Sequence, residues 1–319
     1  MTYVPDPELA AVEHLLPRAD LSDLARTREL ERQFLGQAQH YTPDRALTMT
    51  DTVAPGSADA PDVRVRVFVP AEQIGPLPAL LYLRSSGYVL GSLESVESPA
   101  RRLADHVNAA VVAVDYRIAP EHPYPAALDD CWAALRWATS VEAAPYGIDP
   151  ERVAVLGDSA GGGLAVALSL KTRDVKSPAL IAQFLDAPTI DDRCDTPSMR
   201  EFTDTPMWRS PDSPLTWQHY LGDIPRGGDD VPTYAAPARA SVADLTGLPP
   251  TWMCTYQLDP TRDEALRFAE HLVQAGVPTE MHHYAGAFHM AHTIPGTAIG
   301  ARILSDKYTA INRMLTAGQ

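Results

Sequence analysis

Short apolar runs alternate with helix-period stretches along most of this 319-residue chain, and this alternation constrains the fold more than any other feature of the sequence. Apolar runs separated by helices are typical of a parallel sheet covered by helices. Strands are predicted at 45–53, 63–69, 79–83, 110–115, 152–156, 180–185, 251–256 and 280–284. Helices are predicted at 99–107, 126–138, 160–171, 262–275 and 299–315. The sequence therefore predicts an α/β fold with a mostly parallel eight-stranded sheet flanked by helices.

The strand at 63–69 has a pattern of its own. Valine occupies every second position from Val63 to Val69, whereas most other predicted strands are continuous apolar runs. Strict alternation is typical of a strand with one solvated face, and continuous runs are typical of strands buried on both faces. We therefore expect the strand at 63–69 to lie half exposed at the sheet edge.

Two segments interrupt the alternation of strands and helices. Residues 1–42 follow an amphipathic helical pattern and precede any strand, and residues 188–225 carry many aromatic side chains after a strand that ends at Asp186. We interpret both segments as parts of one helical cap over the strand ends, where open α/β sheets place their sites. The alternative is ordinary surface packing. The core is then expected in two parts, 43–187 and 226–319.

The charge balance excludes several classes of partner. With 26 basic and 41 acidic residues the formal net charge is -15, which repels phosphate backbones and anionic lipid headgroups. Neither nucleic acid nor a membrane is therefore an expected partner. No leader sequence or membrane-spanning run is evident, so a cytoplasmic location is predicted. Three widely spaced cysteines are interpreted as packed thiols.

A pattern for a serine nucleophile lies between a predicted strand and a predicted helix. Gly157-Asp158-Ser159-Ala160-Gly161 has glycine two residues on either side of the serine. A nucleophile on a tight strand-to-helix turn needs small neighbours there, because the backbone folds back on itself. The alternative is a glycine-rich helix start that binds an anion or packs closely against the sheet.

A serine nucleophile requires a base and an orienting acid, which follow it in chain order in hydrolases of this architecture. Asp259 lies just beyond one predicted strand and His289 just beyond the last one, so both are expected at the same end of the sheet as Ser159. Asp263 and His292 are the nearest rivals. A metal pair of His289 and His292 is a further alternative, although no third ligand accompanies them at helical spacing.

These motifs together resemble the bacterial hormone-sensitive-lipase family of α/β-hydrolases over nearly the whole chain after about residue 40. The matching residues are Val114-Asp115-Tyr116-Arg117-Ile118-Ala119-Pro120-Glu121-His122-Pro123, Gly157-Asp158-Ser159-Ala160-Gly161, Asp259-Pro260-Thr261-Arg262-Asp263-Glu264 and His289. The resemblance implies an α/β-hydrolase fold with a helical cap. It also implies that Ser159 is the nucleophile, Asp259 the triad acid and His289 the base.

One loop departs from the family pattern. Where the family has His-Gly-Gly-Gly after its third strand, this chain has Arg84-Ser85-Ser86-Gly87-Tyr88. An oxyanion hole uses backbone N–H donors, so Ser86 and Gly87 are predicted to serve beside Ala160.

The substrate pocket is predicted from an arginine and several aromatic residues. Arg84 suits recognition of a substrate carboxylate, and its alternative is an ion pair with an acid such as Asp186 or Asp191. The aromatic residues are predicted either to line the pocket or to pack within the cap. They are Tyr88, Phe202, Trp208 and Trp217.

The resulting prediction is a serine carboxylesterase that hydrolyses small-molecule esters through an acyl-enzyme and needs no metal or organic cofactor. The resemblance implies short- to medium-chain acyl groups. An amide, a lactone or a natural-product ester is the alternative substrate, and non-hydrolytic binding or elimination is an alternative use of the fold. A homodimer is left open.

Overall fold

The computed structural model describes residues 4–16, 19–37, 41–57 and 60–316, and an eight-stranded sheet forms its centre. The strands are β1 (Leu47–Ala54), β2 (Val63–Pro70), β3 (Leu77–Leu83), β4 (Ala110–Val114), β5 (Ile148–Asp158), β6 (Gln183–Asp186), β7 (Thr251–Leu258) and β8 (Thr279–Phe288). Each predicted strand overlaps one of these. The predicted eight-stranded α/β fold is therefore confirmed.

The sheet is parallel except at one edge. Its strand order is β1-β2-β4-β3-β5-β6-β7-β8, and the pairs β1·β2 and β2·β4 are antiparallel. All pairings from β4 through β8 are parallel. The carboxyl ends of β3 to β8 therefore meet along one side of the sheet, which is where an open α/β sheet binds its ligands.

The expectation that the strand at 63–69 lies half exposed at the sheet edge is wrong. β1 is the edge strand, and β2 lies inside it with seven of eight residues buried. Alternation assigned two polar positions to solvent, and of these Arg64 is exposed whereas Arg66 is buried. Arg66 binds Asp51 of β1 and Glu97 of the following helix. These carboxylates neutralise the Arg66 guanidinium, which allows the side chain to be buried.

Helices cover both faces of the sheet. The helices are α1 (Pro7–Val12), α2 (Leu24–Gln37), α3 (Glu97–His106), α4 (Ala126–Ala138), α5 (Ala160–Val175), α6 (Pro197–Glu201), α7 (Asp212–Leu221), α8 (Arg262–Gln274) and α9 (Ala298–Thr316). α4, α5 and α8 contribute to one apolar cluster, and α3 and α9 contribute to a second cluster. None of the described helices is long and apolar enough to cross a membrane.

The N-terminal segment is helical, but its apolar side is less buried than its pattern suggests. Leu21 is buried, whereas Leu15, Leu30 and Phe34 are exposed. Arg28 of α2 fastens the segment to the core by donating to the carbonyl oxygens of Val89 and Ala119. Residues 1–3, 17–18 and 38–40 of the segment lie outside the described residues.

The segment at 188–225 buries all four of its phenylalanine, tryptophan and tyrosine side chains. Trp217 and Tyr220 of α7 join the larger apolar cluster, and Phe202 and Trp208 are also buried. Met207 is partly exposed. The aromatic residues of this segment thus bury against the core rather than forming an open surface patch.

Candidate active site

Ser159 occupies a tight turn between β5 and α5. Its backbone has φ 55° and ψ −118°, a conformation that non-glycine residues rarely adopt. A Cβ at Gly157 would lie 2.1 Å from the carbonyl oxygen of Gly161, and a Cβ at Gly161 would lie 2.1 Å from that of Leu83. The spacing of the two glycines is therefore a steric requirement of this turn.

Three side chains from separate strand ends form a continuous hydrogen-bonded chain. The Oγ atom of Ser159 lies 2.9 Å from Nε2 of His289, and Nδ1 of His289 lies 2.7 Å from Oδ2 of Asp259. Asp259 follows β7 and His289 follows β8, and all three side chains are buried. These partners assign the ring proton to Nδ1, so Nε2 is free to accept the proton of Ser159.

Asp263 and His292, the alternatives to Asp259 and His289, make other contacts and do not join this hydrogen-bonded chain. Asp263 belongs to α8, where it binds Arg262 and the backbone N–H of Ser198. His292 is buried with Nδ1 2.9 Å from the hydroxyl of Tyr256, and burial lowers its pKa. Among the described residues, no group of three or more histidine, cysteine or acidic side chains is arranged to hold a metal ion.

The loop Arg84-Ser85-Ser86-Gly87-Tyr88, which replaces the family's glycine-rich motif, is held in place by hydrogen bonds to the Ser86 side chain. The Ser86 Oγ accepts the N–H of Tyr88 at 2.9 Å and lies 2.8 Å from the hydroxyl of Tyr116. Burial raises the pKa of Tyr116 to about 12, so this hydroxyl keeps its proton. The serine side chain therefore supports the loop as the acceptor of these two hydrogen bonds.

Two backbone N–H groups of this loop and one at the start of α5 are free to bind a substrate oxygen. In the part of the chain described, the N–H groups of Ser86, Gly87 and Ala160 donate to no protein acceptor. Gly87 has φ +52°, and a Cβ there would lie 3.0 Å from the ring of Trp208. Glycine is retained at this position because both the backbone conformation and the nearby indole exclude a side chain.

The guanidinium of Arg84 is held by backbone carbonyls, and Arg84 also lines a cavity near the site. Its role in binding a substrate carboxylate stays a prediction. Its guanidinium donates to the carbonyl oxygens of Val114, Gly91 and Tyr116, and it lies 4.0 Å from the centre of the Tyr116 ring. The nearest acid is Asp115 at 3.9 Å, and neither Asp186 nor Asp191 is its partner. The guanidinium is committed to backbone carbonyls, which explains its burial without a substrate.

The predicted aromatic residues divide between packing and the cleft. Tyr88 is buried, stacks on Tyr220 at 4.0 Å and donates to the carbonyl oxygen of Thr189. Phe202 is buried under the guanidinium of Arg262, and Trp217 lies in the core. Only Trp208 faces the site, with its ring centre 6.1 Å from that of His289. Tyr88 and Phe202 are therefore corrected to packing residues.

The cleft beside His289 has two compartments. One, of about 180 Å³, is lined by Ser86, Gly87, Trp208 and His289 among others, and a second has a volume of about 330 Å³. They share the lining residues Glu31, Ser85, Met207 and Met290. Sequence reasoning missed Glu31, Met207 and Met290 because none belongs to a motif that carries chemistry, and it gave Ser85 no role although Ser85 lies in the loop that replaces the family's glycine-rich motif.

Both unusual segments contribute to this cleft. Ala19 and Glu31 come from the N-terminal segment, and Thr205, Met207 and Asp212 come from the segment at 188–225. Arg209 links the two segments directly, because its guanidinium donates to the carbonyl oxygen of Ala19.

The fold agrees with the relatives of the chain. A family model described as the alpha/beta hydrolase fold matches residues 80–293. The chain belongs to this family. Carboxylesterase NlhH of Mycobacterium tuberculosis is 42% identical over 222 residues, which are 69% of this chain and 68% of the relative. Esterase LipI of the same organism is 36% identical over 241 residues, covering 75% and 72% of the two chains.

Solved structures of esterases superpose on nearly the whole of this α/β-hydrolase. A bacterial heroin esterase has a TM-score of 0.94 and 40% sequence identity, covering 98% of this chain and 99% of its own. A hyperthermophilic esterase from Pyrobaculum calidifontis has a TM-score of 0.85 and 29% identity, covering 98% and 100%. The prediction of a carboxylic ester hydrolase of this family is confirmed, and it prevails over the non-hydrolytic alternative.

Proposed function

We propose that this α/β-hydrolase cleaves small carboxylic esters with Ser159 as nucleophile, His289 as general base and acid, and Asp259 as the orienting carboxylate. The observation that carries the proposal is the buried hydrogen-bonded chain from Ser159 through His289 to Asp259, at 2.9 and 2.7 Å. This arrangement is the one that activates a serine hydroxyl at neutral pH.

In the first half-reaction, Nε2 of His289 takes the proton of Ser159 as Oγ attacks the ester carbonyl carbon. His289 then gives that proton to the alcohol oxygen, the ester C–O bond breaks, and the acyl group stays on Ser159. In the second half-reaction, His289 takes a proton from water as the water oxygen attacks the acyl carbon. The proton returns to Ser159 Oγ as the carboxylic acid leaves.

The negative charge that develops on the carbonyl oxygen is assigned to the backbone N–H groups of Ser86, Gly87 and Ala160. Their lack of protein acceptors within the described residues supports this assignment, as does the position of Ser86 and Gly87 in the lining of the compartment that contains His289. Each such donor contributes about 3 kcal/mol of transition-state stabilisation in comparable sites. The serine substitution in this loop is therefore compatible with ester chemistry.

The substrate is proposed to be an ester with a short to medium acyl chain. The two compartments differ in volume, about 180 and about 330 Å³, so the acyl and alcohol parts need not be of similar size. The likeness to a heroin esterase supports a large group on one side of the ester bond.

Residues 1–42 and 188–225 are proposed to form the cap that limits access to this site. The contact from Arg209 to Ala19 and the shared lining of the cleft support a single cap built from both segments. The cytoplasmic location and the homodimer stay predictions.

The test is hydrolysis of p-nitrophenyl esters from acetate to decanoate by the native protein and by Ser159→Ala. We expect turnover that peaks among the shorter chains and is lost in Ser159→Ala. A fluorophosphonate probe should label the native protein and not the variant. Folded native protein that neither turns over an ester nor reacts with the probe would refute the proposal.

A further inference from the structure

A buried ammonium group lies next to the nucleophile turn and takes no part in the proton transfers described above. Lys307 of α9 is 3% exposed, and its Nζ lies 2.9 Å from Oδ1 of Asp158 and 2.7 Å from Oδ2 of Asp186. Both carboxylates are buried as well. Removing three charged groups from water is costly unless they are paired, so this cluster requires an explanation.

Asp158 and Asp186 are both attached to the turn that carries Ser159. Asp158 precedes Ser159 in the chain, and the carbonyl oxygen of Asp186 accepts the backbone N–H of Ser159 at 2.8 Å. Asp158 and Asp186 are also register partners on the adjacent strands β5 and β6. Adjacent strands lie about 4.8 Å apart, so two like charges at partnered positions repel each other. A cation between them is needed to keep the two strand ends together.

Other donors serve only one carboxylate each. The hydroxyl of Tyr82 donates to Asp158 at 2.7 Å, and that of Tyr256 donates to Asp186 at 2.6 Å. Within the described ranges, Lys307 is the group that contacts both carboxylates. Burial alone would lower the pKa of Lys307, but the two carboxylates hold it above its ordinary value. The two carboxylates therefore favour the ammonium form of this side chain.

We propose that Lys307 is a positioning residue for Ser159, whose ammonium group locks the carboxyl ends of β5 and β6 together and so fixes the turn that carries the nucleophile. The turn is sensitive to such a restraint because Ser159 has an uncommon backbone conformation and its Oγ must stay 2.9 Å from His289. A displacement of about 1 Å between reacting groups can cost about a hundredfold in rate.

The test compares Lys307→Met with the native protein. We expect kcat for p-nitrophenyl acetate and the rate of labelling by a fluorophosphonate to fall at least tenfold, with KM changed less than twofold. Lys307 does not line the smaller compartment beside His289, so binding of this small ester should persist while the nucleophile is misplaced. Both rates are measured at a temperature at which thermal unfolding shows the variant to be folded.

Arg66→Met is the matched control. Arg66 is also a buried cation between two carboxylates, with Asp51 at 2.5 Å and Glu97 at 2.9 Å, but it lies on β2. We expect this variant to lose stability while its kcat stays within twofold of the native value. A Lys307→Met protein that keeps kcat within twofold, or two variants that lose kcat equally, would overturn the proposal.

We expect Lys307→Met to fold because the lysine adjoins the larger compartment. Asp158, His292 and Lys307 line that cavity, so water can reach the carboxylates after the lysine is removed. If Lys307→Met does not fold, Lys307→Gln takes its place under the same criteria. Failure of both to fold while Arg66→Met folds would also overturn the proposal, because the lysine would then be a requirement for folding.

The inference rests on the proposed role of Ser159, and the two can fail separately. Native protein without turnover or label refutes the proposed function. Native turnover and labelling that Lys307→Met leaves intact refute only the positioning role.

Discussion

Thr261 holds the carboxylate of Asp259 through two hydrogen bonds to the same oxygen. Its backbone N–H lies 2.8 Å and its hydroxyl 2.9 Å from Oδ1, while Oδ2 is 2.7 Å from His289. Thr261 is fully buried. Both carboxylate oxygens of Asp259 are thereby held by hydrogen bonds, and Asp259 in turn orients the imidazole of His289.

Replacing Thr261 with valine should weaken this restraint. The hydroxyl donor is lost while the shape and the backbone donor remain, and a hydrogen bond to a charged group is worth about 1.5 to 3 kcal/mol. We expect kcat/KM for p-nitrophenyl acetate to fall roughly tenfold, in line with the lower end of that range. Thr261→Ser keeps the hydroxyl and should stay near the native rate. Equal rates for the valine and serine variants would contradict the role.

The backbone at Gly87 should be essential for turnover. An alanine there would be strained at φ +52° and would place its Cβ 3.0 Å from the Trp208 ring, which displaces the proposed oxyanion donors. Complete loss of one oxyanion donor costs about a hundredfold in kcat. Gly87→Ala displaces these donors and does not remove them, so we expect its kcat to fall at least tenfold.

Gly75→Ala is the control for backbone strain. Gly75 has φ +81° and no atom within 4 Å of an added Cβ. This variant should lose about 1 kcal/mol of unfolding free energy and keep its kcat. Loss of activity in both variants would point to a general effect of strain.

Trp208 and Tyr88 should differ in their effect on substrate choice. Trp208→Leu removes ring atoms beside His289 and should raise the decanoate-to-acetate ratio of kcat/KM at least fivefold. Tyr88→Phe should leave that ratio within twofold, because Tyr88 packs on Tyr220. It should lower the unfolding free energy by about 1 to 2 kcal/mol through the unpaired carbonyl of Thr189. A changed ratio in Tyr88→Phe would show that our correction of Tyr88 is mistaken.

Glu264 should make the protein less stable at high pH. It is buried on α8 and accepts the N–H of Ile190, and burial raises its pKa well above the ordinary value. A carboxyl whose pKa is higher in the folded state stabilises the fold below its unfolded pKa, and this contribution is lost as pH rises through the folded pKa. Glu264→Gln mimics the protonated form. We therefore expect its Tm relative to native protein to increase steadily from pH 5 to pH 9, by thermal unfolding at each pH; a constant difference would exclude the linkage.

Much of the fold and of the candidate site followed from local patterns. The strands were predicted because apolar periodicity is a property of a few consecutive residues. Ser159, Asp259 and His289 were selected by a short motif and by chain order, and the structure brings the three side chains together. Thr261 was missed, although a threonine two residues after an aspartate is a common turn pattern and could have signalled it.

The order of strands and helices, the turn at Ser159 and the residues able to act with it could thus be read from the amino-acid sequence. Three features could not: Arg84 binds backbone carbonyls, β2 lies inside the sheet, and Lys307 bridges Asp158 and Asp186. The two groups differ in how far apart in the chain the interacting residues lie. Periodicity and turn sterics act between neighbours in the chain. Asp158 lies 149 residues before Lys307, and Asp186 lies on a different strand from Asp158, so only folding brings Lys307 into contact with both.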